Sequence, residues 1–241
     1  MLQDHGYRVI PGVLRPEECD DIKDELVRFL CDAHGGWAPL KTFSNKHNRA
    51  GIWDGIQNHP SLWRLRRSRR VRNAFLDAAF PDRPNNQRFQ VSIDRIGYRS
   101  ADFQQQYQEW WHWDEDPTDP QKRFQGFLCL TDDDVLAVVP ANLSHLYKKG
   151  GIVDDPRHAP MIQKLHHRII APKGSLVIWN SSCLHSPLAT SRLNERMVAY
   201  IKFLPSRIFK ITPNDPVRTK TTCSWSGFDY APSLKKYMSS K

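Results

Sequence analysis

The sequence has few cysteines, and their spacing fits neither a structural zinc site nor a disulfide framework. Five cysteines occur in 241 residues, which is an odd number, and no two of them form a Cys-x-x-Cys pair. A structural zinc site or a disulfide-stabilised scaffold is therefore not expected. We expect most of these thiols to be small core residues. The five are Cys19, Cys31, Cys129, Cys183 and Cys223.

Long apolar runs are absent as well. The strand-like segments SLVIW (175–179) and MVAYIKFL (197–204) are far shorter than the roughly 20 residues of a membrane-spanning helix. The first residues, MLQDHGYRVIPGVL, contain no basic stretch followed by an apolar core, so no secretory signal is visible. We therefore expect a soluble intracellular protein, cytoplasmic or nuclear, that has no membrane partner.

The composition is that of an ordinary globular chain, with 39% hydrophobic and 25% charged residues. This length often forms one sandwich or barrel, so residues 1–241 are expected to form a single domain. Its core is expected to span about 6–204, followed by a C-terminal extension over 205–241. The sequence carries no indication of oligomeric state.

The formal net charge of +9 has two interpretations. One is a solubilising surface excess, and the other is attraction to a polyanion or an anionic substrate. The arginine-rich stretch from Leu62 to Arg72 favours a nucleic-acid partner, but such a partner calls for stacking aromatics along the basic track. Trp63 is the one aromatic within this stretch, and arginine runs are usually solvated helix faces. A nucleic-acid partner is therefore weakly supported.

Periodicity divides the chain into a helical first part and a strand-rich second part. Residues 14–33 carry apolar residues at helical spacing, and one further helix is expected between Pro60 and Pro81. Residues 35–59 have no clear period and are expected to be irregular. Short strands bounded by turn residues follow from Arg88, which predicts a sandwich or barrel. The predicted strands are RFQVSIDRI, FQGFLCL, VLAVV, RIIA, SLVIW and RMVAYIKFL.

The segment EWWHWDEDP (109–117) contains a candidate metal pair, His112 and Asp114. Side chains alternate along a strand, so these two are expected to project to the same side and Trp113 to the other. An imidazole next to a carboxylate suits a divalent metal such as iron(II). Trp113 is expected in the core, whereas Trp111 either closes the pocket or packs in the core.

A third ligand candidate, His185, follows the predicted strand 175–179 after a short loop. Two histidines and one carboxylate leave three positions open on an octahedral metal, which suits a non-heme iron(II) oxygenase. A chelating keto acid takes two of these positions, and dioxygen takes the third. Because this set is complete, His145, His166 and His167 are not expected to be ligands.

A keto-diacid also needs an anchor for its distal carboxylate, and arginine binds carboxylates with two parallel hydrogen bonds. Arg196 opens the strand after His185 and is the preferred candidate. Arg192 is the local alternative, but it lies in the turn SRLN, where a solvated role is expected. A surface position on the strand is the alternative interpretation of Arg196.

One predicted strand offers further candidates for cosubstrate or substrate binding. In RFQVSIDRI the polar residues Gln90, Ser92 and Asp94 alternate with apolar ones. If the apolar face packs against the helices, the polar face lines the cavity. A merely solvated polar face is the competing interpretation, because alternation fixes sidedness but not what lies opposite.

Several segments together resemble the phytanoyl-CoA dioxygenase family of 2-oxoglutarate oxygenases. They are GYRVIPGVLRPEECDDIKDEL, WHWDED, VVPANLSH and KGSLVIWNSSCLHSPLATSRLNERMVAY, in the order that is typical of the family. In VVPANLSH, residues 141–143 depart from the family's usual glycine.

The resemblance implies a mainly β fold with flanking helices, a double-stranded β-helix of the jelly-roll, cupin-like type. It also implies that His112, Asp114 and His185 bind iron(II), and that Arg196 binds the C5 carboxylate of 2-oxoglutarate. The expected reaction is hydroxylation of a small molecule with release of succinate and CO2. Two alternatives stay open: the same chemistry on a protein side chain or nucleobase, and a non-catalytic binding module on the same fold.

Overall fold

The computed structural model describes residues 2–34, 36, 48–49, 51–53, 55–101, 109–115, 123–144, 159–188, 194–206 and 222–224. The predicted irregular region 35–59 is only partly described, because residues 35, 37–47, 50 and 54 lie outside these ranges. The same is true of residues 207–221 and 225–241 in the predicted C-terminal extension. The helices are α1 Leu2–His5, α2 Pro16–His34, α3 Pro60–Arg67, α4 Arg69–Ala79, α5 Ala141–Ser144 and α6 Ala159–Leu165.

Thirteen strands are found in the described residues, several of them only two residues long. They are β1 Tyr7–Ile10, β2 Asn48–Arg49, β3 Ile52–Trp53, β4 Phe89–Ser92, β5 Ile96–Arg99, β6 Phe124–Cys129, β7 Leu136–Val138, β8 His167–Arg168, β9 Leu176–Asn180, β10 His185–Pro187, β11 Arg196–Ile201, β12 Phe203–Pro205 and β13 Thr222–Ser224. The prediction of a mainly β fold with flanking helices is confirmed at this level.

Helix α2 forms where the apolar spacing predicts it. Pro16 begins the helix, where its missing N–H costs nothing, and the carboxylates of Glu17 and Glu18 lie at the positive end of the helix dipole. Cys19 and Leu26 are fully buried on its apolar face.

The single helix expected after Pro60 is instead two helices. Ser68 interrupts it, with an extended backbone (φ −63°, ψ 118°) that cannot continue a helical turn. The N–H of Ser68 donates to the carbonyl of Leu65 at 3.1 Å, and its hydroxyl accepts from the N–H of Val71 at 3.3 Å. Ser68 therefore ends α3 and caps α4, and the side-chain acceptor compensates for the break.

The arginines of these two helices do not form one solvated face, contrary to the prediction. Arg66 is buried, and its guanidinium donates to the carbonyl oxygens of Gln57 and Asp94 at 2.6 and 2.7 Å. Two further arginines form ion pairs with carboxylates of α2. These pairs are Arg64 with Glu25 at 2.9 Å and Arg70 with Glu18 at 2.6 Å.

The strands form three sheets. The largest has the order β1-β9-β6-β11-β5-β3-β2, and the two smaller ones have the orders β10-β7-β8 and β12-β4-β13. Two predicted strands are each divided between sheets: 88–96 becomes β4 and β5, and 196–204 becomes β11 and β12. Each segment reads as one strand-like run in the sequence, and nothing in the pattern indicates that the chain changes sheet.

The two faces of the large sheet bury different partners. Leu128, Ile178 and Ala199 belong to one buried cluster with residues of the helices, such as Leu26 and Phe75. On the opposite face, the side chains of β6, β9 and β11 pack toward the sheet β10-β7-β8. This inner cluster includes Phe127, Cys129, Val177, Trp179 and Val198 together with Leu136 and Val138. The inner face is the one that carries the candidate site.

The cysteines behave largely as expected. Cys19, Cys129 and Cys183 are buried, Cys31 is partly buried, and all four are free thiols. Burial raises the pKa of the Cys19 thiol to about 11.

Within the described part of the chain, no helix combines the length and the apolar character that crossing a bilayer requires.

Replacing Ser68 tests whether its hydroxyl stabilises the break between α3 and α4. Ser68→Ala removes the acceptor for the Val71 N–H, so the free energy of unfolding should fall by about 1 kcal/mol. Ser68→Asp keeps an acceptor at the same position and should stay close to the wild type. Urea unfolding followed by circular dichroism measures both. Equal stabilities of Ser68→Ala and the wild type would contradict this role.

Candidate metal centre

Backbone hydrogen bonds bring the distant segments of the site together. The N–H of His112 donates to the carbonyl of His185, and the N–H of His185 donates to the carbonyl of His112, both at 3.0 Å. His185 also begins β10 and pairs with Val138 of β7. The prediction placed His112 on a strand, and the structure has instead an isolated bridge to His185. The same-side arrangement of His112 and Asp114 still holds.

The three predicted ligand side chains converge. The Nε2 atom of His112 lies 3.6 Å from Asp114 Oδ1, and the Nε2 atom of His185 lies 3.4 Å from Asp114 Oδ2. One ligand atom from each residue can be chosen so that all three lie within 4.8 Å of one another. His185 is buried, His112 is half-buried, and Asp114 is exposed toward the cavity. A single divalent ion can contact all three.

Each imidazole is oriented through its other nitrogen. His112 Nδ1 lies 2.9 Å from the carbonyl oxygen of Trp110, and His185 Nδ1 lies 2.9 Å from that of Cys183. A carbonyl oxygen only accepts, so each Nδ1 carries the proton and each Nε2 presents its lone pair to Asp114. Acceptor atoms this close need a cation between them, either a proton or a metal ion. Carbonyl-bound imidazoles of this kind are typical of metal ligands.

The electrostatics favour deprotonated ligands. Burial is the main cause that lowers the pKa of His112 to about 4, and the neighbouring imidazole of His185 adds to it. Burial opposes the ionisation of Asp114, but the neighbouring His185 and a hydrogen bond from Gln125 hold its pKa below the ordinary value. A neutral imidazole and a carboxylate are the forms that bind a metal ion.

Each of the three side chains also has a supporting neighbour. The indole of Trp110 stacks on His112, with ring centroids 4.2 Å apart and an angle of 20° between the planes. Trp179 lies at 57° to His185, with centroids 5.5 Å apart. The amide of Gln125 donates to Asp114 Oδ2.

A cavity of about 500 Å³ opens beside the three side chains. Its lining combines aromatic rings with charged groups of both signs, a size and character that suit a small polar ligand. The lining includes Asp94, Arg95, Trp110, Gln125, Phe127, Trp179, Arg196, Tyr200 and Lys202 as well as the three candidate ligands.

Arg196 lies in this cavity and is buried, so its side chain is not at the protein surface. Its Nε–H donates to Oδ2 of the buried Asp133 at 2.5 Å. The other oxygen of Asp133 accepts from the N–H of Val135 at 3.0 Å, which fixes the carboxylate. A Cβ atom at Gly97 would lie 2.9 Å from Arg196 Nη1 and 3.4 Å from the Tyr200 hydroxyl. The missing side chain of Gly97 therefore makes room for the guanidinium.

Gln90 and Ser92 are not among the described residues that line the cavity, contrary to the prediction. Their strand, β4, belongs to the small sheet with β12 and β13, away from the inner face of the large sheet. The hydroxyl of Ser92 donates to Asp94 and to the carbonyl of Lys202. Asp94, the third member of the predicted polar face, does line the cavity because it lies in the loop between β4 and β5.

The tryptophans around His112 have different surroundings. Trp111 and Trp113 are both buried in a cluster with Val139, Ile162 and Leu184, so of the two roles considered for Trp111 the structure favours packing in the core. Trp110 lines the cavity instead. The sequence contained the signal, because Trp110 is two residues before His112 and alternation places it on the same side.

Gln125, Asp133 and Trp179 were not identified from the sequence as site residues. Gln125 and Trp179 face each other across the paired strands β6 and β9, and Asp133 is placed by an isolated bridge to Ala171. Register between distant strands is not visible in a local pattern. His145 and Arg192, which the sequence analysis considered, lie outside the described residues.

No family model matches the chain, and no curated protein matches it either. Solved structures do match. One is the non-heme alpha ketoglutarate dependent epimerase SnoN from nogalamycin biosynthesis, with a TM-score of 0.60 and 17% identity over 85% of this chain and 78% of that chain. A second is EctD from S. alaskensis, solved with 2-oxoglutarate and 5-hydroxyectoine. It matches with a TM-score of 0.61 and 16% identity, over 85% of this chain and 73% of that chain.

A third match is HygX from Streptomyces hygroscopicus, solved with nickel, 2-oxoglutarate and hygromycin B. Its TM-score is 0.57 at 13% identity, over 85% of each chain. This chain shares their fold. At identities this low the likeness concerns architecture, and the chemistry must be argued from the site itself.

Alanine substitutions test whether the three side chains bind one metal ion. His112→Ala, Asp114→Ala and His185→Ala should each weaken Mn(II) binding by at least about 100-fold, since even loss of an outer hydrogen bond typically costs 10- to 100-fold. Titration calorimetry under reducing conditions measures this. His166→Ala is the matched control and should bind normally, because this ring packs on Trp111 and does not line the cavity. Unchanged affinity in His185→Ala would refute the assignment.

The lowered pKa of His112 predicts a pH dependence of the metal-free protein. The folded-state pKa of about 4 lies below the 6.5 of an ordinary histidine, so the unfolded chain takes up the proton first as the pH falls. The contribution to stability is complete above about pH 6.5 and decreases toward pH 4. Urea unfolding between pH 7 and 5 should show a smaller pH effect in His112→Gln than in the wild type. Parallel profiles would contradict this pKa.

Proposed function

We propose that this protein is an iron(II)- and 2-oxoglutarate-dependent dioxygenase that hydroxylates a small molecule and releases succinate and CO2. The observation that carries the proposal is the convergence of His112, Asp114 and His185 beside a cavity of about 500 Å³. Solved proteins of the same fold contain iron or nickel together with the keto acid, which supports the choice of cofactors.

The donor set fits iron(II). Two neutral imidazole nitrogens and one carboxylate occupy one face of an octahedral ion and leave three positions for other ligands. When bound, the iron and the keto acid together supply the oxidation of a C–H bond with dioxygen. His112 and His185 keep their Nε2 lone pairs available, because the Nδ1 protons are bound to backbone carbonyls.

Arg196 is proposed to bind the distal carboxylate of 2-oxoglutarate. Its guanidinium lies in the same cavity as the three candidate metal ligands and is held by Asp133 through Nε. A fork of two parallel hydrogen bonds to a carboxylate then comes from the terminal nitrogens. Gly97 leaves space beside Nη1, and the Tyr200 hydroxyl lies near the same point. The cation–π contact of Arg196 with Phe127, at 5.9 Å, further fixes its plane.

The carboxylate at Asp114 favours hydroxylation over halogenation. A small residue at this position would leave room for a halide ion on the metal, whereas Asp114 occupies that position. Aromatic rings surround the site: Trp110 stacks on His112, and Phe127 and Trp179 line the cavity wall. Such apolar surface would limit the access of water to the metal and the keto acid when they are bound.

A small-molecule substrate is favoured by the size of the cavity and its mixed lining. Arg95, Asp94 and Lys202 supply charges of both signs beside the aromatic surface of Trp110. SnoN was solved in complex with nogalamycin RO and HygX with hygromycin B bound, and both compounds are small molecules. We propose a polar substrate that carries groups able to pair with these charges.

The structure gives little support for a macromolecular substrate bound by the arginine-rich stretch. Arg66 is buried, Arg64 and Arg70 form ion pairs with α2, and Trp63 is buried and unavailable for stacking on a base. A non-catalytic binding module would have no need of two imidazoles that both turn their Nε2 atoms toward one carboxylate. We retain the phytanoyl-CoA dioxygenase-like relationship and the double-stranded β-helix topology as parts of this proposal.

Succinate release tests the proposed reaction. The protein, supplied with Fe(II), ascorbate and 2-oxoglutarate, should release succinate, and a screen of small polar metabolites should contain compounds that stimulate the release.

The Arg196→Lys variant keeps the charge but loses the planar fork, so the Kd of 2-oxoglutarate for the Mn(II)-loaded protein should rise about tenfold or more. Its Mn(II) affinity should not change.

Arg83→Lys is the matched control, because Arg83 pairs with Asp77 and does not line the cavity. Equal keto-acid binding by Arg196→Lys and the wild type would exclude Arg196 as the anchor. A wild-type protein that binds metal but never forms succinate would contradict the enzymatic function.

A further inference from the structure

The amide of Gln125 lies at one oxygen of the candidate metal ligand Asp114. The side-chain nitrogen of Gln125 donates to Oδ2 of the Asp114 carboxylate. Oδ2 also lies 3.4 Å from His185 Nε2, and Oδ1 lies 3.6 Å from His112 Nε2. The two oxygens therefore differ in that Oδ2 accepts the hydrogen bond from Gln125.

We propose that Gln125 is a positioning residue that makes Asp114 bind the metal through one oxygen only. This inference rests on the proposed function. The hydrogen bond occupies a lone pair of Oδ2 and fixes the plane of the carboxylate, so Oδ1 is the better donor to a metal ion. One oxygen and two nitrogens leave three positions open on an octahedral ion. A carboxylate bound through both oxygens would leave two, which is too few for a chelating keto acid plus dioxygen.

The position of Gln125 in the fold supports this role. It projects from the inner face of β6, opposite Trp179 of β9, whose ring packs on His185. Two neighbouring side chains of one sheet thus support two different candidate ligands. Strand β6 lies within the large sheet, where Gln125 pairs with Trp179 of β9 and the following residues, from Gly126, pair with both β9 and β11.

A neutral donor suits this position better than a cation. An ammonium or guanidinium at Asp114 would repel a divalent ion and lower its affinity. Cationic side chains do lie nearby, but they bind the adjacent carboxylate. Glu115 lies 2.9 Å from Lys202 Nζ and 3.4 Å from Arg123 Nη1. These two cations are thus paired with Glu115, while the side chain that donates to Asp114 is the uncharged amide of Gln125.

Gln125→Leu removes the amide at similar volume, and Gln125→Met is a second variant without a donor in case the first does not fold. Mn(II) is the probe, because it binds without redox chemistry. Its affinity should fall about 10- to 100-fold in these variants, as for other lost partners of metal ligands. The relaxation of water protons by bound Mn(II) should fall by about one third, because two positions and not three remain for water.

The matched control is Gln163→Leu. Gln163 also donates to a carboxylate, Glu109 at 3.3 Å, but it does not line the cavity, so both readouts should remain at the wild-type value. Folded Gln125 variants with wild-type Mn(II) affinity and water relaxation would overturn the role of Gln125. A wild-type protein that binds neither Mn(II) nor 2-oxoglutarate would instead overturn the proposed function.

Discussion

The reciprocal backbone hydrogen bonds between His112 and His185 are the constraint on which the site depends. They join two segments that are far apart in the chain and place both imidazoles above one carboxylate. The pairing of β10 with β7 then anchors the bridge to the small sheet.

The alternation of side chains in the large sheet lets one set of strands build both the core and the site. Residues that face the helices are almost all apolar, whereas the inner face carries Gln125, Trp179 and Arg196 among apolar neighbours. The buried charge of Arg196 is tolerated because Asp133 pairs with it and is itself hydrogen-bonded. The inner face thus holds polar groups in fixed orientations at a modest cost in stability.

Local periodicity in the sequence predicts part of the fold and of the site. It does not predict the features that depend on the pairing register of strands far apart in the chain. Helix α2 and the same-side placement of His112 and Asp114 followed from spacing alone, whereas His185 and Arg196 were better supported by the family resemblance. The polar alternation of Gln90 and Ser92 was real, but the pattern could not tell which sheet the strand joins. Asp133 and Gln125 were missed because their partners lie 63 and 11 positions away.

The proposed site has three side chains that hold one ferrous ion with room beside it for a chelating keto acid. Anaerobic absorption spectroscopy can detect this arrangement, because a keto acid chelated to iron(II) gives a visible charge-transfer band. We expect the band to form only when Fe(II) and 2-oxoglutarate are both added to the protein. Binding of both compounds with no such band would contradict it.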